Sequence, residues 1–200
     1  MSTFFHGSKQ LFDGFDISHI YEGDGKAKFG HGHYLTERFE TAAHYAAGGD
    51  EEMHPEYHYY VYTVEIPDIE EGHFLKSASP VCPGIVALVE EKLGERIPLS
   101  AKTKGKRFRK YVGNVLLGNR RTEKIMTESL SKEGEKKVAE FLVGIGVPYL
   151  IWPVAQSKPD GLLNCAVLDE SLIRMKRIEE VRLDRKLQFV PGSQKTIKEF

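Results

Sequence analysis

The segment from Glu56 to Ile66 constrains the fold of this chain more than any other part of the sequence. Its side chains are mainly aromatic or β-branched, and such residues favour extended structure. Tyr60, Tyr62 and Val64 recur with a period of two that continues to Ile66, so they share one face of a strand. The segment therefore predicts a long strand that buries this face within a sheet.

Other segments indicate the remaining elements. Strands are predicted at Thr3–Phe5, His33–Leu35, Tyr149–Val154, Leu162–Leu168 and Ile173–Val181. Helices are predicted at Arg38–Ala47, Ile85–Leu93 and Lys136–Ile145, where apolar residues recur at helical spacing. Turn-forming residues at 157–161 and 169–171 separate the last strands, and we also expect a polar turn at His6–Ser8 and a helix cap at Thr36. This order of elements favours a mixed α+β domain over a parallel βαβ array.

Length and composition narrow the class of protein. The 200 residues suit one domain with a helical, basic insertion at about 80–146, and 40% hydrophobic residues predict a folded chain. A formal charge of -1 provides no global attraction to nucleic acid or lipid, so any such attraction must be local. Cys82 and Cys165 lie in apolar runs without CxxC spacing, which favours a reducing, cytoplasmic compartment.

Targeting and cofactor signals of several common kinds are missing from the sequence. The first eight residues have neither the basic nor the apolar region of a signal peptide, and no stretch approaches the ~20 apolar residues of a membrane span. Gly30-His31-Gly32 precedes a strand rather than a helix, which argues against a Rossmann domain. His54 and His58 have no thiol or carboxylate at a matching spacing, so no metal site is expected.

Three segments near the N-terminus form a pattern. They are Phe4–Ser8 (FFHGS), Phe29–Thr36 (FGHGHYLT) and Thr41–Ala46 (TAAHYA). The first holds a His-Gly pair, the second a Gly-x-Gly-x-Tyr strand, and Tyr34 precedes Tyr45 by eleven residues. This pattern resembles the first half of an ADP-ribosyltransferase of the His-Tyr-Glu, or poly(ADP-ribose) polymerase-like, branch, and phage and bacterial toxin members are closer still.

The resemblance implies mainly antiparallel sheets with flanking helices, and an NAD site that includes His6, Gly7, Ser8, Tyr34 and Tyr45. Nicotinamide in NAD is flat and cationic, so the two tyrosines can clamp it by stacking and cation–π attraction, each contributing roughly 0.5 to 2 kcal/mol. Gly7 can offer its backbone to the carboxamide because no side chain blocks the approach. His6 is expected to donate to the adenosine-side ribose or to the pyrophosphate.

The third motif of the family is a glutamate on a late strand, and here Asn164 falls on its position. Asn164 can bond the nicotinamide-ribose 2′-hydroxyl but cannot supply negative charge as the glycosidic bond breaks. We expect its amide to face the same cavity as His6 and Tyr34, the other predicted catalytic residues. Ala42 stands where polymerase-like members often have serine. Both departures argue against chain elongation. Asp160, on the preceding turn, is the candidate base that activates the acceptor.

A basic segment at 102–111 reads Lys-Thr-Lys-Gly-Lys-Arg-Phe-Arg-Lys-Tyr, and Arg120 and Arg121 follow. One interpretation is a solvated face. The other is a groove for RNA or DNA, in which cations meet phosphates while Phe108 and Tyr111 stack on unpaired bases.

These observations lead to three alternatives for function. The first is an NAD-dependent transferase that attaches a single ADP-ribose to a macromolecule, either nucleic acid or protein, without a metal. The nearest resemblances then imply a toxin or defence effector, which leaves room for an antitoxin or other neutralising partner. The second is a catalytically inactive module that binds NAD, ADP-ribose or nucleic acid. The third is hydrolysis of NAD without transfer.

Overall fold

The computed structural model describes residues 1–20, 28–50, 52, 54, 56–119, 129–155 and 160–200. The strands of the described residues are β1 (Ser2–Ser8), β2 (His33–Thr36), β3 (Tyr59–Ile66), β4 (Phe74–Lys76), β5 (Tyr149–Pro153), β6 (Leu163–Val167), β7 (Arg174–Val181) and β8 (Lys195–Glu199). The α-helices are α1 (Phe39–Ala46), α2 (Pro83–Leu93), α3 (Gly105–Leu116) and α4 (Lys132–Gly144). Short 3-10 helices cover Ile17–His19 and Glu170–Leu172.

The strands form one eight-stranded sheet in the order β4-β5-β6-β2-β1-β3-β7-β8. Only β4 and β5 pair in parallel among these strands, and all other neighbours are antiparallel. The prediction of a mixed α+β protein with mainly antiparallel strands and flanking helices is therefore confirmed. More than one sheet was expected, but β2 pairs with both β1 and β6 and joins the strands into a single sheet.

Strand β3 confirms the prediction made from the aromatic segment and adds a second buried face. Tyr62, Val64 and Ile66 are fully buried on the predicted face. Tyr59 and Val61 are buried on the other face as well, because β3 lies between β1 and β7 and has a core on both sides.

The two faces of the sheet are covered differently. On the helix face, α1 packs on β1 and β3, while α2, α3 and α4 share a core with β5 and β6. On the opposite face, a core of mainly aromatic and branched side chains includes Phe4 and Tyr62. The segment that follows β1 contributes Phe12 and Phe15 to this core.

Several local predictions were wrong. His6–Ser8 continues β1 rather than forming a turn, because all three residues pair with β3. Thr36 ends β2 and does not cap α1, whose N-cap residue is Arg38. The basic segment at 102–111 contains most of the first two turns of α3, which we did not predict because its cations interrupt the apolar pattern of a helix. The predicted turn at 157–161 falls largely outside the described residues.

Candidate functional site

The three predicted catalytic residues lie on three neighbouring strands. His6 is on β1, Tyr34 on β2 and Asn164 on β6, and these strands are adjacent in the order β6-β2-β1. Thr36, near Tyr34, is the register partner of Asn164 on one side and of Phe5 on the other. The fold thus brings together backbone segments that are far apart in the sequence.

The side chains of these residues do not all share one face. Register partners lie on the same face of a sheet, and successive residues alternate. Asn164, Thr36 and Tyr34 therefore belong to the helix face, since Tyr34 is opposite Ala166 in the helix-side core. His6 belongs to the opposite face with its register partner Tyr62. The expectation that all three side chains face one cavity does not match this arrangement.

His6 lies among aromatic rings. Its ring centroid is 5.3 Å from that of Phe15 and 6.0 Å from those of Phe12 and Tyr62. Burial lowers the pKa of His6, and a hydrogen bond to the Tyr34 carbonyl partly offsets the change. Because a carbonyl only accepts, Nδ1 carries the proton of the neutral ring and donates to it at 2.9 Å. Nε2 is then an acceptor, which corrects the expectation that His6 donates to a ligand.

Gly7 has a structural reason to be glycine. A Cβ atom at this position would lie 1.8 Å from the Ala42 carbonyl oxygen and 2.7 Å from the Ala46 nitrogen. The close packing of α1 on β1 therefore excludes any side chain here, with or without a ligand. The hydroxyl of Ser8 accepts from the Gln10 N–H at 3.0 Å. Roles for Gly7 and Ser8 in NAD binding stay predictions.

Tyr34 organises the loop that precedes β2. Its hydroxyl accepts from the Phe29 N–H at 2.8 Å and donates to the Gly30 carbonyl at 3.0 Å. Its ring meets Trp152 edge-on at 5.6 Å, and Phe29 stacks on the same indole at 4.0 Å. The hydroxyl is thus committed to the backbone, whereas the ring contributes to an aromatic cluster on the helix face.

Tyr45 lies on α1 and is 58% exposed. The neighbouring His44 donates from Nδ1 to the Leu187 carbonyl at 2.9 Å, which ties this helix to the chain after β7. An exposed phenol ring on an anchored helix can stack on a flat ligand without moving the core.

Asn164 carries a buried polar group without a partner. The residue is 3% exposed, and its Nδ2 lies 3.5 Å from the Pro153 carbonyl oxygen. Its Oδ1 has no hydrogen-bond partner among the described residues. A buried acceptor left unpaired costs about 1 to 3 kcal/mol, so a ligand hydroxyl that donates to it would stabilise the protein.

Two carboxylates beside the start of β6 complete this region. Glu37 Oε2 accepts from the Leu163 N–H at 2.6 Å, and the Glu37 N–H donates to the Leu163 carbonyl at 2.9 Å. Asp160 forms an ion pair with Arg38 and accepts from the Leu162 N–H at 3.1 Å. The sequence interpretation missed Glu37, for which the one available signal was its position directly after the Gly-x-Gly-x-Tyr strand.

His33 is a second buried histidine on the opposite face. Burial, together with the nearby His6 and His31, lowers the pKa of His33 to about 4. Its Nε2 lies 3.8 Å from Glu170 Oε2, which accepts from the Ile17 N–H at 2.7 Å. His33 is therefore neutral near pH 7.

Two cavities lie away from the predicted NAD residues. One of about 760 Å³ is at the start of β3 and the end of β7, with His54, Tyr57, Arg182 and Lys195 in its wall. Another of about 420 Å³ is beside α2 and includes Cys82. Neither is lined by His6, Tyr34 or Asn164.

The basic segment differs from its sequence interpretation. Phe108 is 1% and Tyr111 8% exposed, so neither ring can stack on a nucleic-acid base. Arg109 is buried and forms an ion pair with Glu135 of α4. The other five cations are exposed or half-buried, and we call them the α3 basic surface: Lys102, Lys104, Lys106, Arg107 and Lys110. Arg120 and Arg121 lie outside the described residues.

Cys165 is fully buried in β6, and burial raises the pKa of its thiol. Within the described residues, no group of three or more His, Cys, Asp or Glu side chains is arranged to hold a metal ion. In the same part of the chain, no helix combines the length and the apolar character needed to cross a membrane. Comparisons with models of protein families, with curated proteins and with solved structures found no significant match.

Proposed function

We propose that this chain has an ADP-ribosyltransferase fold and transfers a single ADP-ribose from NAD to a macromolecule, either nucleic acid or protein. The observation that carries the proposal is the adjacency of β1, β2 and β6 in the sheet. In the family pattern, the three motifs on these strands surround NAD. The resemblance to phage and bacterial toxins suggests a toxin or defence effector as the biological role.

In this proposal, NAD lies across the junction of β1 and β2, which share one register pair, Phe5 and Thr36, and so contacts residues on both faces of the sheet. The exposed ring of Tyr45 stacks on nicotinamide, and the ring of Tyr34 forms part of the neighbouring wall. His6 Nε2 accepts a hydrogen bond from a hydroxyl of the adenosine-side ribose, since Nδ1 is already bonded to Tyr34. The main chain of Gly7 bonds the carboxamide.

The reaction breaks the bond between C1′ of the nicotinamide ribose and the pyridinium nitrogen. The electron pair leaves with nicotinamide, which becomes neutral, and the ribose becomes an oxocarbenium-like cation. An oxygen or nitrogen of the acceptor then bonds to C1′ and loses its proton to a base. Catalysis depends mainly on holding the two reactants in line and on negative charge near the ribose.

Asn164 and Glu37 divide between them the work of the family's glutamate. The Asn164 Oδ1 accepts from the ribose 2′-hydroxyl, which supplies the partner that this buried oxygen lacks among the described residues. Glu37 supplies negative charge close to Asn164. Its carboxylate is held there because it accepts a hydrogen bond from the N–H of Leu163, the residue before Asn164. Asp160 is the candidate base for the acceptor, with its charge oriented by Arg38.

Release of nicotinamide from purified protein tests the proposal. Asn164→Ala is expected to lower turnover more than NAD affinity, because the contact strengthens as charge develops on the ribose. Asn164→Glu is expected to preserve release, and in that background Glu37→Gln should have less effect than in the parent. Thr36→Val changes the register partner of Asn164 and loses one hydrogen bond to the Arg38 N–H, so it shows how much of any lost turnover comes from local destabilisation alone.

The acceptor can be found with NAD labelled in its adenosine half. Incubation with cell lysate followed by protease or nuclease shows which class of macromolecule carries the label. If the parent releases no nicotinamide with any lysate fraction, the transferase proposal is wrong.

A catalytically inactive binding module is the second candidate. It is favoured by the amide at position 164, which has no charge, and by the nearly complete burial of this side chain. This alternative predicts that NAD or ADP-ribose binds, with a measurable heat in calorimetry, while no nicotinamide appears. Accumulation of nicotinamide and free ADP-ribose without a labelled acceptor would instead indicate hydrolysis of NAD.

A further inference from the structure

Helix α3 carries its cations in an unfavourable place. Lys104 is its N-cap residue, and Lys106 and Arg107 lie in its first turn, which contains no acidic residue. The positive end of the helix dipole is at this terminus, so cations here destabilise the helix. Helix α4, packed beside it, has Glu133 and Glu135 in its first turn.

The cations of the two helices also differ in their partners. On α4, Lys136 lies 4.0 Å from Glu140 and Lys137 lies 2.9 Å from Glu133. Within the described residues, no member of the α3 basic surface has a carboxylate at ion-pair distance. Burial and the neighbouring Lys106 and Arg109 lower the pKa of Lys110, so the cations of α3 repel one another.

The packing of α3 directs this charge outward. Phe108, Arg109 and Val112 are buried on the inner side of the helix. Lys106 and Lys110 are one turn apart, and Arg107 is three residues before Lys110, so these three side chains share the outer arc. Cations at a helix N-terminus without carboxylate partners run against the local preferences of a helix. Departures of this kind, without a compensating contact in the protein, are expected at functional sites.

The inner side of α3 reaches the candidate NAD region. A Cβ atom at Gly30 would lie 3.4 Å from Arg109 Nη1, so the helix packs directly against this loop. The Gly30 carbonyl accepts from the Tyr34 hydroxyl. One layer of side chains therefore separates the α3 basic surface from the loop that precedes β2.

We infer that the α3 basic surface binds the phosphate backbone of a nucleic acid. That this nucleic acid is also the acceptor of ADP-ribose rests on the proposed transferase, whereas the binding itself does not. Phe108 and Tyr111 are buried, so recognition comes from cations on phosphates rather than from stacked bases. The binding is expected to depend strongly on salt and weakly on base sequence.

Fluorescence anisotropy with the full chain and no NAD tests this inference. The probes are a labelled 20-base-pair DNA duplex, an RNA duplex and single strands of the same length, titrated at 50, 100 and 200 mM salt. Lys106→Gln/Arg107→Gln/Lys110→Gln is compared with Lys132→Gln/Lys136→Gln/Lys137→Gln, which removes the same charge from α4. The α3 variant is expected to bind ten- to a hundredfold more weakly, and its slope of log K against log salt to be smaller by roughly 2 to 3.

Equal loss in both triple variants would overturn the inference, since net charge alone would then explain binding. Failure of the parent to bind any probe at 50 mM salt would also overturn it. Vesicles with anionic lipid are a further arm, and α3-dependent binding to vesicles alone would replace nucleic acid by a membrane. Nucleic-acid binding without nicotinamide release would support the α3 basic surface and contradict the transferase. Nicotinamide release without nucleic-acid binding would support the transferase and contradict the inference about the surface.

Discussion

The two faces of the sheet bury ionisable side chains in opposite ways. On the helix face, Arg109 and Glu135 are buried together and balance each other as an ion pair. On the opposite face, burial lowers the pKa values of His6 and His33, so both rings are neutral near pH 7. Removing one member of a buried ion pair destabilises the fold, whereas a buried neutral histidine destabilises the fold when acid protonates it. Mutation therefore probes the Arg109–Glu135 pair, and pH probes His6 and His33.

The largest effect is expected from removing one member of the ion pair. Arg109→Ala leaves Glu135 buried without its partner and should lower the free energy of unfolding by about 3 to 5 kcal/mol. Urea denaturation at pH 7.5 measures this change. Arg109→Met/Glu135→Met removes both charges and should recover most of the loss. A single variant as stable as the parent would show that water or another residue already neutralises Glu135.

Acidification should weaken the protein through the opposite face. The pKa of His33 is about 4 in the folded protein, against an ordinary value of 6.5 for a histidine in the unfolded chain, so the unfolded chain takes up the proton first as the pH falls. The stabilisation is complete above pH 6.5 and is lost as the pH falls towards 4, by about 2 kcal/mol at pH 5.

Urea midpoints at pH 7.5, 6 and 5 measure this dependence, and His33→Gln should flatten it. His6 contributes in the same direction, because burial also lowers its pKa. An unchanged profile in His33→Gln would assign the acid sensitivity to other groups.

A smaller effect is expected at the aromatic ring that stacks on nicotinamide. Tyr45→Ala is expected to weaken NAD binding by about 1.4 kcal/mol, roughly tenfold in Kd, because one exposed stacking ring is lost. Calorimetric titration of folded protein measures the change. Tyr57→Ala removes another exposed tyrosine and should leave Kd unchanged. Loss of affinity in Phe15→Ala but not in Tyr45→Ala would move the ring to the opposite face.

The smallest effect concerns the unpaired amide of Asn164 on the helix face. Asn164→Val removes a buried acceptor without a described partner, so stability should change by less than ~1 kcal/mol, towards stabilisation. Thr36→Val is the contrast, because its hydroxyl accepts from the Arg38 N–H and its loss should destabilise. Thermal unfolding of both variants gives the sign. Strong destabilisation by Asn164→Val would indicate that the amide is already satisfied.

Several predicted elements match the structure because their apolar side chains repeat regularly. The alternation in β3 and the helical spacing of Val138 and Leu142 in α4 were read correctly, since both arise from local geometry. Helix α3 was missed because a buried Arg109 occupies part of its inner stripe. Strands β4 and β8 were missed because one has three residues and the other no buried face.

For the candidate site, the sequence indicated the segments and the structure supplied their arrangement. His6, Tyr34, Tyr45 and Asn164 were predicted from the resemblance of their segments to the family's motifs. Glu37 was not, because its relation to Leu163 depends on the pairing of β2 with β6, more than a hundred residues apart. The opposite orientation of the His6 and Tyr34 side chains also depends on strand register, which motif spacing does not specify.

The sequence by itself determined most of the helices and strands, the uneven distribution of cations, and the motifs that resemble an NAD-binding transferase. These are local properties, set by side-chain periodicity and by residue type. Only the tertiary structure decided that β2 lies between β1 and β6 and that Phe108 and Arg109 face inward. It also decided that the side chains of His6 and Asn164 lie on different faces of the sheet. Strand order and burial depend on contacts between distant segments, because each segment buries its apolar face only where another segment covers it.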